Sequence, residues 1–513
     1  MNLNRPASSS NSAPAERWVT LLALVLPAVI ALHPLANNDL PMHLAIGDWI
    51  SEQGKIPITD PFSANGHGGR WIAHEWLAAL IFSTVHSLGG AHGLVTLAVA
   101  LAALLGWLQE KIARLLGIPA VARILLLVPL WLVAGRRLML RPHLLGLCSV
   151  LALYWITLIG RERPRRLWLA VPLMVLWANI HSSFILGIAF LIFDLLIWPD
   201  GHRATWVQRM AILSSSIGAT FFQPHGIDLF LFPFQLGLDP VFTGQVLEWV
   251  SPLAHSIGGS RFRATPSFWI GMPLLGLALT AVIRQRFGAL EGQVPRAARL
   301  ATVVAIAMAL LQQRHFALAA LLSSLVLGVW ISPYCLRWPE TMRKVRVRAA
   351  VLISAVLAML LAYGYPATIT GPEIQWRKIG SGWSTRMPRT AVAVLADEWK
   401  VSGDVLCEYE YGSVVVHASA GRLRPTMDSR NTVYGAARFK AHDAVLSGRD
   451  LPQMERWLVQ VDAVLIRTLQ QDTTRGLLTR RLDEDDEWLS IHFDQYCRMW
   501  LKKQAAPSLR KKR

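Results

Sequence analysis

Charge is the first thing this chain is short of. Only 16% of its 513 residues are charged, against roughly 25% in soluble domains, too few to cover several water-facing globular surfaces. A string of soluble domains is therefore excluded, and 53% hydrophobic residues make this a membrane protein. Acidic side chains are scarcer than basic ones, 33 Asp and Glu against 51 Lys and Arg, a formal charge of +18. Cysteine is almost absent. Cys148, Cys335, Cys407 and Cys497 form neither CxxC nor CxxH, which excludes a disulfide scaffold and a paired-thiolate zinc site. The chain also lacks a GxxxxGKS/T loop, a GxGxxG turn behind a strand, HExxH and GxSxG. ATP-driven transport, nucleotide redox chemistry, zinc proteolysis and serine hydrolysis lose their support with them.

What the chain has instead is apolar runs of about 15 to 20 residues, near the length that crosses a bilayer. After a polar leader over 1–17 they fall at 18–36, 92–109, 119–135, 142–160, 167–181, 183–199, 206–222, 267–283, 298–313, 316–332 and 349–365, about eleven spans. Basic residues gather at every second connection: Lys111 and Arg114, then Arg161 to Arg166, Arg203 and Arg209, Arg284 to Arg299, and Arg337 to Arg348. The positive-inside rule makes those loops cytoplasmic. The surplus charge is then mostly a topology signal, and no nucleic-acid partner is expected. The segment HEWLAALIFSTVHSL at 74–88 is short for a crossing, and letting it span would invert every later loop, so it is expected to lie in the outer interface. Strand-like runs at 414–416 and 463–466 after residue 365 indicate an α/β domain. An odd number of spans places it outside, where oxidising conditions allow Cys407 and Cys497 to pair.

The loops facing away from the basic clusters collect the unusual polar residues. They hold NNDLPMH (37–43), HEW (74–76), RRLMLRPH (136–143), NIHSS (179–183), QPHG (223–226), EWVSP (248–252) and QQRH (312–315). Polar groups at membrane depth are costly and face a cavity or each other, so these stations suggest one cavity. Asp39 follows the first span directly and suits three roles: general base, ligand to a divalent cation, or helix N-cap. His43 stands one helical turn further on. Glu75 and Glu248 are candidates for a second carboxylate, while Asp48 and Asp60 read as solvated or turn residues. Arg136, Arg137, Arg141 and Arg314 lie where the positive-inside rule disfavours them. A guanidinium fork suits phosphate, so they point to a phosphate or pyrophosphate site, the alternative being snorkelling to outer headgroups or pairing with Glu75 or Glu248. His143, Asn179, His181, His225 and His315 recur beside these stations, with spacings that fit hydrogen bonding better than metal ligation.

Several of these segments carry a resemblance. NDLPMHLAIGDWI (38–50), GKIPITDPFS (54–63), WIAHEWL (71–77), RPH (141–143), WANIH (177–181) and DSR (428–430) resemble a group of poorly characterised bacterial multi-span membrane proteins. Their architecture is similar to that of the GT-C superfamily of polyprenyl-phosphate-dependent glycosyltransferases. The resemblance implies an all-α polytopic bundle over 18–365, with a first periplasmic loop at 37–91 holding the interfacial helix, and a periplasmic α/β domain over 366–513. It implies a place in the bacterial inner membrane and Asp39 as base or metal ligand, although Asn38 stands where a second acidic residue is expected. A divalent cation is the one cofactor it allows. The implied donor is a lipid-linked sugar whose phosphate meets Arg141 or Arg314 while its tail lies among membrane lipids. The acceptor is an outer-face glycan, lipid or protein. The alternatives are a transporter or flippase of lipid-linked glycans, which needs no base, and a non-catalytic assembly protein.

Overall fold

The computed structural model describes residues 13–64, 68–197, 203–237, 239–246, 248–254, 256–257, 260–261, 266–285, 294–339, 342, 348, 365–370, 373–377, 379–468 and 476–506. Most of the leader, nearly all of the expected span 349–365, and Arg286, Arg343, Lys344 and Arg346 lie outside them. The chain folds into two compact units. One comprises Met1–Pro34 and Val95–Ser381, the other Leu35–Leu94 and Gly382–Arg513. The sequence assigns 37–91 to the membrane domain as a loop and starts the α/β domain at 366. The structure instead folds Leu35–Leu94 together with the C-terminal segment, whose share begins at Gly382.

The helices of the first unit are α1 (Ala13–Ala31), the later part of α3 (Trp76–Leu115), α4 (Ala120–Ala134), α5 (Pro142–Glu162), α6 (Ala170–Ile180), α7 (Phe184–Leu196), α8 (Trp206–Ala219), α9 (Asp228–Gly237), α10 (Pro240–Gln245), α11 (Pro266–Gln285), α12 (Arg296–Leu311) and α13 (Phe316–Leu336). Every expected span up to residue 332 coincides with a helix. Among the described residues, three segments suffice by length and composition to cross a membrane: Trp76–Leu115, Pro142–Glu162 and Gln313–Leu336. The 11 residues of α6, at 1.5 Å each, fall well short of a hydrocarbon core about 30 Å thick. The helix expected at 74–88 is present as the start of α3 and runs on into the next span, broken only at Gly90, whose φ of 56° and ψ of −151° leave the helical region. Without a Cβ, glycine adopts that conformation at little cost. Further on, α1 and α3 cross so closely that a Cβ on Gly106 would overlap the Ala23 carbonyl oxygen, the small-residue packing of membrane helices.

Short antiparallel hairpins, β1 (Ser256–Ile257) with β2 (Ser260–Arg261) and β3 (Tyr365–Thr370) with β4 (Glu373–Arg377), also belong to this unit. Arg114 and Arg209, read as cytoplasmic, and Arg123, within an expected span, have acidic partners here. Arg123 and Arg114 bind Glu16 and Glu110, and Arg209 binds Asp194 at 2.7 Å.

The second unit is built on a five-stranded sheet of order β6-β5-β7-β9-β8, from β5 (Gly403–Cys407), β6 (Leu423–Pro425), β7 (Ala463–Arg467), β8 (Trp488–Phe493) and β9 (Cys497–Lys502). β5 runs parallel to β6 and β7, and β9 antiparallel to β7 and β8. Side chains alternate across it as the pleat requires: Val405, Cys407, Leu465 and Met499 enter one core, Leu406, Val464, Ile466 and Trp500 the other. The valine run at 414–416, which reads as a strand, lies in the helix Gly412–Ala418. It crosses from β5 to its parallel neighbour β6, and packing overrides the preference of β-branched residues for strands. Helix α2 (Leu40–Gln53) buries Met42, Ala45, Ile46 and Ile50 with Phe62 and Trp71 against Val416.

The expected Cys407–Cys497 disulfide does not form, and both thiols are free and buried. Their strands flank β7 on opposite sides, about 9.6 Å apart, beyond the roughly 7 Å a disulfide can bridge.

Candidate functional site

Asp39 stands at the N-cap of α2, yet its side chain makes no capping hydrogen bond. The cap role is left to the backbone: its carbonyl accepts from the Met42 and His43 amides, and its own amide donates to Asn37 Oδ1 at 3.1 Å. The side chain of Asp39 is thus not spent on capping, and the helix N-terminus favours its negative charge. One turn on, the buried His43 places Nε2 3.5 Å from Glu75 Oε2, and His74 Nε2 lies 3.6 Å from Glu75 Oε1. Glu75 therefore stands between two imidazoles and polarises both. His43 and His74 are its neighbours in ion-pair distance.

Among the described residues, the His, Cys, Asp and Glu group close enough to hold an ion is His492, Asp494 and Cys497, and Asp39 is not in one. In the β8–β9 turn, Asp494 Oδ1 already accepts the amides of Tyr496 and Cys497.

The arginine stations gather in the first unit. Arg141 Nη1 reaches Glu248 Oε1 at 2.6 Å and Arg137 Nη1 reaches Oε2 at 3.0 Å. Burial pushes the Glu248 carboxyl up, but Arg137 and Arg141 outweigh it and hold it far below the usual carboxylate range. The pairing that competed with the phosphate reading is thus present for these two residues. The Arg314 amide donates to the Glu248 carbonyl at 3.1 Å, and its guanidinium lies 4.5 Å from the Trp249 ring centre. His315 follows it at 3.4 Å from Arg314 Nε. His143 Nε2 contacts the Arg137 carbonyl at 2.8 Å, within the field of Arg141 and His181. His181 Nδ1 meets Ser183 Oγ at 2.8 Å, Asn179 donates to the Phe222 carbonyl at 2.8 Å, and the His225 amide donates to Gln223 Oε1 at 2.6 Å. Arg137, Arg141, His143, Glu248, Arg314 and His315 form one cluster, with His181 at its edge.

The sequence missed a second network, in the other unit. Asp60, expected as a turn residue, is 1% exposed. It accepts from Arg430 Nη1 at 2.5 Å and from Ser63 Oγ. Arg430 also forks onto Asp428, Nε to Oδ1 at 2.9 Å and Nη2 to Oδ2 at 2.6 Å, while the Tyr434 hydroxyl donates to Asp428 at 2.7 Å. The guanidinium lies 5.2 and 4.9 Å from the ring centres of Phe62 and Trp71. Burial alone would raise the Asp60 pKa; Arg430 and the Ser63 and Phe62 hydrogen bonds reverse that and lower it. These residues fall within the GKIPITDPFS, WIAHEWL and DSR segments, so part of that pattern encodes a buried staple.

Solved structures share this fold. The chain matches the apo oligosaccharyltransferase of Archaeoglobus fulgidus with a TM-score of 0.53 at 13% identity, over 87% of this chain and 69% of that one. It matches ArnT from Cupriavidus metallidurans bound to undecaprenyl phosphate with a TM-score of 0.55 at 10% identity, over 95% of this chain and 98% of that one. No family model and no curated protein matches the chain. Identities this low speak for the fold alone, which this chain shares with these two membrane proteins.

Proposed function

We propose that this protein is a membrane glycosyltransferase that moves a sugar from a polyprenyl-phosphate-linked donor to an acceptor glycan, lipid or protein on the outer face of the inner membrane. The carrying observation is the fold likeness over 95% of the chain to a protein seen with undecaprenyl phosphate bound. Asp39, released from capping, is assigned the general base. The acceptor hydroxyl oxygen attacks the anomeric carbon and gives its proton to Asp39. The bond from that carbon to the phosphate oxygen breaks, and its electron pair leaves with the polyprenyl phosphate. Attack opposite the leaving group inverts the anomeric centre. Arg141 and Arg314 are assigned to the leaving phosphate, the first held ready by Glu248. The α/β unit is assigned to the periplasm.

The test incubates purified full-length protein with a labelled polyprenyl-phosphate sugar and membrane extract as the source of acceptor. Release of the lipid phosphate is the expected result. Asp39→Asn should lower that release by about 10² to 10⁴-fold, the range of general-base contributions, with the melting temperature unchanged. A fully active Asp39→Asn protein would remove Asp39 from the base role. Movement of the intact lipid-linked sugar across a vesicle, without release, would make the protein a transporter.

A further inference from the structure

Arg389 lacks the neighbour that many of the described arginines have. Arg123, Arg137, Arg141, Arg209, Arg430, Arg467 and Arg498 each have an Asp or Glu oxygen within ion-pair distance. Arg389 is half-buried, and among the described residues its polar neighbour is a neutral ring nitrogen, with Nη1 3.2 Å from His417 Nδ1. Its guanidinium lies 4.4 Å from the Trp383 ring centre. The His86 ring lies 5.4 Å from that of His417 and 6.1 Å from Trp383. Desolvation disfavours the charged form of Arg389 without a carboxylate to offset it. The acid acting on this group is Asp48, through His86, and Ser83 Oγ already donates to Asp48 at 2.5 Å. A cation taken partly out of water without a counter-ion is costly, and such groups are normally paired.

We propose that Arg389, His417 and His86, on the Trp383 platform, form an anion site for a phosphate group, separate from the arginine cluster assigned to the donor. Stacking on Trp383 takes the flat face of the guanidinium and leaves its edge, the fork that fits two phosphate oxygens. Two imidazoles supply N–H donors toward further oxygens, and a bound dianion favours their charged form. The same positive edge repels metal cations. With its face covered by Arg389, Trp383 offers no platform for a sugar ring. The phosphate comes either from the headgroup of an anionic lipid or from a free phosphate.

The test uses the full chain in dodecyl maltoside, which contains no phosphate, with inorganic phosphate and dihexanoyl phosphatidylglycerol as probes read by calorimetry. The wild type is expected to bind at least one probe. Arg389→Gln should weaken that binding about tenfold or more, as loss of a charge-assisted hydrogen bond predicts. Binding of both probes in competition indicates recognition of phosphate itself, and binding of the lipid alone indicates a headgroup site; either supports the proposal. Failure of the wild type to bind either probe, or equal binding by Arg389→Gln, overturns it. If Arg389→Gln does not fold, His86→Gln carries the same test at the half-buried rim, with several-fold weakening expected and unchanged affinity as the overturning result.

Discussion

Arg430 and Arg141 each reach a carboxylate at 2.6 Å, Asp428 and Glu248 respectively, yet the two contacts do different work. The Arg430 side chain is 6% exposed and its partners Asp60 and Asp428 are wholly buried. All its donors point at fixed acceptors, with aromatic rings alongside. Glu248 is 34% exposed and Arg141 18%, so water reaches the pair and another anion can compete for the fork. A guanidinium becomes a binding group when its partner is replaceable, and a structural one when its partners are sealed in. Arg389, with no carboxylate beside it among the described residues, extends the series.

The comparison can be broken most severely at the sealed end. Arg430→Ala leaves two carboxylates buried without a cation, and should cost about 3 to 5 kcal/mol, read as a collapse of the second unit's thermal transition. Arg141→Ala leaves a carboxylate that water can reach, and should cost about 1 kcal/mol or less. Equal losses would show that exposure does not separate the two.

A smaller effect sharpens the open end. Glu248→Gln removes the competing anion from Arg137 and Arg141, and should tighten retention of undecaprenyl phosphate by up to about tenfold, roughly 1.4 kcal/mol. Weaker retention would mean that Glu248 is needed to position the forks.

The next effect is a pH dependence. Burial, with Arg389 and His86 beside it, holds the His417 pKa down to about 3, whereas an unfolded histidine titrates near 6.5. Above that value both states are neutral and the stability is intact. As pH falls toward 3 the unfolded chain takes up a proton that the native state refuses, so stability is lost. Melting curves in phosphate-free buffer between pH 7.5 and 4.5 should show the decline, and His417→Gln should flatten it.

Smallest of all is the effect of reductant. With Cys407 and Cys497 free on strands either side of β7, dithiothreitol should leave the melting temperature unchanged.

Much of this was legible before the structure. The periodic apolar runs marked the helices, and the arginines that break the charge rule marked the cluster around Glu248. Asp39 stood out because it follows a span directly. What the sequence hid depends on partners far along the chain. Asp60 precedes a proline and reads as a turn until Arg430, 370 residues away, is seen to close on it. Val414, Val415 and Val416 form a helix because the crossover between parallel strands demands one, which local propensity does not reveal. The docking of α2 against Val416, more than 360 residues along the chain, has no local signal either.

The staple between Asp60 and Arg430 also sets a clock. Residues 35–94 leave the ribosome well ahead of the 382–513 segment that completes their unit, with about 290 residues made in between. At about 5 to 20 residues per second, that interval lasts roughly 15 to 60 seconds. Throughout it, Asp60 has no arginine and the apolar face of α2 has no Val416. The early segment must wait for its other half, so its unit matures only after the intervening membrane helices have been synthesised. A chain cut short before Asp428 would leave this segment incomplete, a ready mark for quality control.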